Sequence, residues 1–336
     1  MFNSLKYFVI IACSLALYSC ENSEEKVPDI SNIPRPKIEI ERVEDLFKSK
    51  DKFQIAEYLD QHPELAKQFF KIDNYPDDSV LVNMIYNFSI DPHTDTLIND
   101  VERIFPSTES LEKELEQAFT YIKYYFPDFN VPKIYTSVSG FGSFGFGADL
   151  FYSESMIVIG LDWYAGQKST YRPQDIPDYM LRRYEPEYIV PNIITYVSAK
   201  YNSYDFEDRT LLADMIYYGK AYHFTKKMLP YTADTLIIGY TQNEWDLSEQ
   251  FIDIIWGHFI EENIFYVTSE SQKALYIGER PNIPQIADKC PGRVGRWIGW
   301  EVAREFSRRK EETSLPELMS IKDARRIFQE SRYKPQ

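Results

Sequence analysis

Cysteine, histidine and long apolar runs are scarce in this chain, and each shortage removes a class of function. Cysteine occurs at three positions in 336 residues. Cys13 lies in an apolar leader and Cys20 at its end, which leaves only Cys290 for the folded body and excludes an internal disulfide. Cys290, followed by Pro291 and Gly292, reads as a small, partly buried loop residue before it reads as a nucleophile. The four histidines, His62, His93, His223 and His258, are separated by 31, 130 and 35 residues. A helical zinc-peptidase site needs two histidines four apart with a glutamate between them. No pair qualifies, so each reads as a solitary structural or surface histidine. A phosphate-cradling P-loop and a nucleophile-elbow serine are also missing. The pairs Glu261-Glu262 and Glu311-Glu312 lie in runs that read as solvated helix faces. The residues thus point to no catalytic group, no metal and no cofactor, and to a protein that is not an enzyme.

What is present is aromatic and acidic. Tyr occurs 26 times and Phe 22 times, within a hydrophobic content of 44%, which suits a well-packed body rather than a disordered one. The formal net charge is −15, and −16 without residues 1–19, whose only charge is Lys6. Such a field repels phosphates, so nucleic acid is not an expected partner.

The first twenty residues form the most specific segment. Lys6 precedes an apolar core from Tyr7 to Leu17, too short to span a bilayer comfortably, and Leu17-Tyr18-Ser19-Cys20 closes it. The segment reads as a signal peptide (1–19). Its end resembles a bacterial lipobox, with Tyr18 a departure from the usual small residue. That resemblance makes Cys20 the lipidation site and membrane lipid a partner, with several acyl chains needed for stable attachment. Residues 20–36, with Pro28, Pro34 and Pro36, read as a tether reaching about 50 Å if stretched. A single globular body is expected over 37–336, with 37–130 a candidate helical subdomain.

Within that body, alternation at Ile38-Glu39-Ile40-Glu41 suggests where the fold begins. Leu111, Leu115, Ala118, Phe119 and Ile122 share a helical stripe after Ser107 and Thr108. A second helix is predicted over 243–266, with Phe251, Ile252, Ile255, Trp256, Phe259 and Ile260 inward and a capping box from Thr241 to Glu244. Further helices are expected at 51–70, 191–201, 210–229 and 295–309. β-Rich runs at 134–138 and 156–161 flank a glycine-rich stretch. The fold class read from this pattern is α+β, predominantly helical, with a small central sheet.

Gly140, Gly142 and Gly145 satisfy the dinucleotide-binding spacing, but a second β-rich run follows where a helix would have to hold the pyrophosphate. A hairpin or wide loop is the better reading, with Phe141, Phe144 and Phe146 as a packing or docking surface. A peptide or glycan captured on the aromatic stretch 141–152 is one alternative function that this leaves open.

Several segments together carry a family resemblance: Tyr184-Glu185-Pro186-Glu187-Tyr188-Ile189-Val190-Pro191, Gly219-Lys220-Ala221-Tyr222, Met228-Leu229-Pro230, Ile238-Gly239-Tyr240-Thr241, Cys290 to Glu301, and Ser331 to Pro335. In this order, behind a lipobox, they resemble the gliding-motility lipoprotein GldB family of Bacteroidota. Glu24-Glu25 resembles the acidic export signals of surface lipoproteins in those bacteria. The resemblance implies a lipid-anchored protein of the cell envelope, at the outer membrane on its periplasmic or surface face, whose partners are envelope or motility proteins. The family is in turn distantly similar to H-E-x-x-H zinc proteases. That likeness implies a degenerate zinc-peptidase-like scaffold, because 194–201 holds neither His nor Glu and Tyr218 stands where a ligand Glu would precede Gly219. Tyr196, Lys200, Tyr218, Arg293, Trp297 and Glu301 become candidates for a relic groove or binding site. Gly295 and Gly299 suit close helix packing, Trp297 and Trp300 fill core or line the groove, and Arg293 with Glu301 is expected as a buried ion pair. An active hydrolase with unorthodox residues is the remaining alternative.

Overall fold

The computed structural model describes residues 27–143, 145–174 and 176–335. The leader, Cys20 and the first part of the tether lie outside the described residues, as does Phe144. The described part of the tether has no helix or strand, and Ile30 packs against the body.

Strand β1 (Ile40–Arg42) is followed by α1 (Glu44–Ser49), α2 (Lys52–Gln61), α3 (Pro63–Gln68), α4 (Asp78–Ser89), α5 (Pro92–Ile104) and α6 (Glu109–Tyr125). Strands β2 (Lys133–Ser137), β3 (Leu150–Tyr152) and β4 (Met156–Gly160) come next. The remainder is helical: α7 (Asp178–Leu181), α8 (Ile189–Ser198), α9 (Leu211–Met228), α10 (Asp234–Ile238), α11 (Gln242–Gln250), α12 (Ile252–Glu261), α13 (Glu270–Ile277), α14 (Val294–Arg309), α15 (Leu315–Ser320) and α16 (Ala324–Ser331). The chain is predominantly helical with one small mixed sheet, as its pattern predicts.

The sheet runs β1-β2-β4-β3. β1 and β4 flank β2 in parallel, with Ile134 opposite Ile40 and Ile157, while β3 closes antiparallel on β4. Every residue of Met156-Ile157-Val158-Ile159-Gly160 is buried, as a central strand covered on both faces requires.

Two predicted helices are each interrupted. The helix over 51–70 breaks at His62, whose φ of −122° and ψ of 59° leave the helical region, because the following Pro63 crowds its backbone. The helix over 243–266 opens on the expected capping box of Thr241 and Glu244, then turns out of register at Phe251 (φ −95°, ψ 6°) and ends as a short 3₁₀ turn at 264–266. The break changes which side faces inward. Ile255 and Phe259 are buried, whereas Ile260, expected inside, is exposed.

The buried apolar side chains form two clusters. One joins the sheet, α1–α6 and α8. The other joins α10, α12, α13, α14 and α16. Helix α9 serves both: Leu211, Leu212, Met215 and Ile216 enter the second cluster, Phe224 and Met228 the first. A helix packed on most of its circumference loses its polar face, which is why Lys220 and His223 are buried.

Candidate functional site at the crossing of α9 and α14

Helices α9 and α14 approach until their backbones touch. A Cβ on Gly219 would stand 2.0 Å from the Gly299 carbonyl oxygen, and a Cβ on Gly299 would stand 1.9 Å from that of Met215. Only glycine permits this contact. Gly295 packs less tightly on α13, a Cβ there standing 3.0 Å from the Ile277 side chain and 3.1 Å from the Tyr276 carbonyl oxygen. Next to the crossing in sequence, the Lys220 ammonium donates to the carbonyls of Ser203 (2.6 Å), Met319 (3.3 Å) and Ile321 (2.8 Å). Burial pushes its pKa down to about 8, while these acceptors, two at the end of α15 and one in the loop before α9, take up its three N–H donors.

Trp297 and Glu301, one turn apart on α14, line a cleft of about 560 Å³ together with Trp245 and the C-terminal stretch Arg332 to Pro335. Arg304 braces it, bonding Glu301 (2.9 Å) and Asp234 (2.6 Å) with its guanidinium 3.9 Å from the Trp300 ring centre. Burial raises the Glu301 pKa against the opposing pull of Arg304. Trp300 is wholly buried and Trp297 almost so, and both indole N–H groups lack a hydrogen-bond partner.

The expected ion pair between Arg293 and Glu301 does not form. Arg293 sits ahead of the first turn of α14 with φ +60°, so eight residues of helix put about 12 Å between the two backbone positions. Its guanidinium instead donates to the carbonyls of Ile238 and Gly239 at 2.8 Å each, closing the C-terminus of α10, and lies 3.7 Å from Glu279. Tyr218 is covered by Arg296, 4.2 Å from its ring centre. Tyr196 stands on the exposed side of α8 and Lys200 in the turn after it, where Lys200 pairs with Glu154 at 3.3 Å. The six candidates thus do not converge: Trp297 and Glu301 share a cleft, and the other four serve separate places.

Where α8 meets α9, the facing groups are the Thr195 and Thr225 hydroxyls, 3.0 Å apart. Hydroxyls of this kind do not fit the first-row metal that the distant peptidase likeness implies. Among the described residues, no three His, Cys, Asp or Glu side chains are grouped to hold a metal ion. The histidines stand apart: His93 meets Tyr171, His258 meets Tyr276, and His62 lies between Tyr58 and Glu41. His223 is buried with Nε2 unpartnered. Cys290 is fully buried, not partly, and that burial pushes its thiol up to about 12, away from nucleophilic use.

The glycine-rich stretch is a loop whose anion cradle is already filled. The amides of Ser139 and Phe141 both donate to Asp162 Oδ2 at 3.0 Å, so a buried carboxylate occupies the place a phosphate would need. Phe146 is buried against Phe47, Phe70 and Phe88, which makes it packing and removes it from any docking surface. Exposed rings occur instead at Tyr204 and Phe206, beside the start of α9, where sequence reading placed no site. The available signal was two rings two apart in an acidic loop with no apolar stripe to absorb them.

A family model described as gliding motility protein GldB matches residues 23–335. No curated protein and no solved structure matches the chain. No helix among the described residues is long and apolar enough to cross a membrane.

Proposed function

This chain belongs to the gliding motility protein GldB family, and from that premise we propose that it is a noncatalytic lipoprotein, anchored through acylated Cys20 in the outer membrane of a member of the Bacteroidota, that acts by protein contact in the motility-associated envelope machinery. The observation that carries the noncatalytic part is the use made of the motif residues. Gly219, Lys220 and Gly299 are consumed by helix crossing and carbonyl capping, and Arg293 by the end of α10. A scaffold of distant zinc-peptidase ancestry would place its chemistry between α8 and α9, and there the facing groups are the hydroxyls of Thr195 and Thr225. Contact is then the function left to the surface, where the cleft of Trp245, Trp297 and Glu301 lies under the C-terminal stretch.

In-cell photo-crosslinking from the cleft rim, at Glu249 or Arg308, tests the contact reading in the native envelope. A discrete envelope-protein adduct is expected. Adducts that merely track protein abundance would contradict it. The anchor has its own test: Cys20→Ser should move the protein from membrane to soluble fractions and abolish gliding, and firm membrane attachment of that variant would refute lipidation.

A further inference from the structure

Beside the N-terminus of α9 lies a second cleft, of about 490 Å³, that differs in character from the first. Its walls carry the rings of Tyr204, Phe206, Tyr217 and Tyr218. Tyr204 contacts Phe206 at 4.3 Å and Tyr217 at 5.3 Å between ring centres, the latter edge to face. Tyr204 and Phe206 are exposed, Phe206 to 75%. Burying a phenylalanine ring is favourable by its area alone, so rings held outside by the loop are a surface awaiting cover.

The charge of this cleft sets the chemistry of what covers it. Asp205, Asp208, Asp214 and Glu270 face Arg209 and Lys273. Lys273 is already shared, 2.7 Å from Asp214 and 3.0 Å from Glu270. The Asp205 and Asp208 carboxylates are oriented by their own loop, Asp205 accepting the Glu207 amide and Asp208 both the amide and hydroxyl of Thr210, each through one oxygen. The adjoining groove adds Glu207 and Asp323 against one further cation, Arg325, so carboxylates remain in surplus. A ring-lined pocket with a surplus of carboxylates attracts a cation twice, through the ring faces and through the field.

We propose that this cleft docks a lysine-bearing segment of a partner protein, an ammonium being held between the aromatic wall and the Asp205 and Asp208 carboxylates. The assignment rests on the contact reading above and names the partner's chemistry; its test reads binding alone, so it can fail while that reading survives. Neutral glycans use aromatic walls as well, but the surplus negative charge gives them no advantage here.

The test titrates the detergent-solubilised full chain against fluorescent (Lys-Ala)₄, (Glu-Ala)₄ and a neutral glucan hexasaccharide, followed by anisotropy. Saturable binding of the lysine peptide alone is expected, weakened about tenfold in Phe206→Ala and in Tyr217→Ala. Neither change alters charge, so the overall acidity of the chain cannot account for the loss. Phe53→Ala, another exposed ring on α2, should bind as the parent does. Equal binding of the glutamate peptide, capture of the hexasaccharide, or undiminished lysine-peptide binding by Phe206→Ala and Tyr217→Ala would each overturn the proposal.

Discussion

The two hydrophobic clusters are built by different means. Around the sheet, cohesion comes from apolar side chains meeting one another, as where Phe146 lies within 5.3 to 6.3 Å of Phe47, Phe70 and Phe88. Around α14, apolar packing is supplemented by helix-to-helix backbone contact at glycine and by arginines laid over rings: Arg293 on Tyr240, Arg296 on Tyr218, Arg304 on Trp300. The first arrangement tolerates adjustment of side-chain volume. The second depends on positions where no side chain fits and on cations that need both a ring and an acceptor. The difference explains why the segments carrying the family resemblance concentrate in the second cluster: their residue types are dictated by geometry that few alternatives satisfy.

The contrast can be broken at its strongest points. Phe146→Ala in the sheet cluster should cost about 4 kcal/mol by urea unfolding, with Phe146→Leu recovering most of it, because volume is what that core requires. Gly299→Ala should cost about 3 kcal/mol although it adds one methyl group, and no residue larger than glycine should recover it. If Gly299→Ala unfolds like the parent, the helices can separate freely and the contrast fails. Arg304→Met keeps the stem over Trp300 but strands Glu301 and leaves Asp234 to Lys226 alone, and a loss of about 2 kcal/mol is expected from the same measurement.

The smallest effect is a pH slope. Burial, aided by Lys227 and Arg304, holds the His223 pKa well below its usual 6.5. Below pH 6.5 the unfolded chain takes up a proton that the folded chain refuses. The His223 contribution is therefore complete above pH 6.5 and declines on acidification, by at most about 1.4 kcal/mol per pH unit. His223→Met should flatten the stability profile between pH 6.5 and 5; an unchanged profile would place the acid sensitivity elsewhere.

Much of the sheet cluster was legible in the sequence because its signals are periodic. The apolar runs at 134–138 and 156–161 became β2 and β4, and the stripe from Leu111 to Ile122 became the inner side of α6. Interruptions were less legible, since the turn at Phe251 carries no proline or glycine to announce it. In the second cluster the spacing of Gly295 and Gly299 revealed close packing but not its partners. The supposed link from Arg293 to Glu301 failed because Arg293 is spent on the carbonyls of a helix 54 residues earlier in the chain, a long-range choice that local spacing does not encode. The acidic aromatic cleft went unseen for the same reason: Tyr204 and Lys273 meet only after folding.

The central claim is that the place where α8 meets α9, with the Thr195 and Thr225 hydroxyls facing each other, carries no hydrolytic centre. Its most direct test is elemental analysis of the purified chain equilibrated with zinc and then dialysed, run beside a broad peptide-cleavage assay on the same sample. The account predicts zinc far below one equivalent and cleavage at the buffer rate. Near-stoichiometric zinc together with turnover would contradict it.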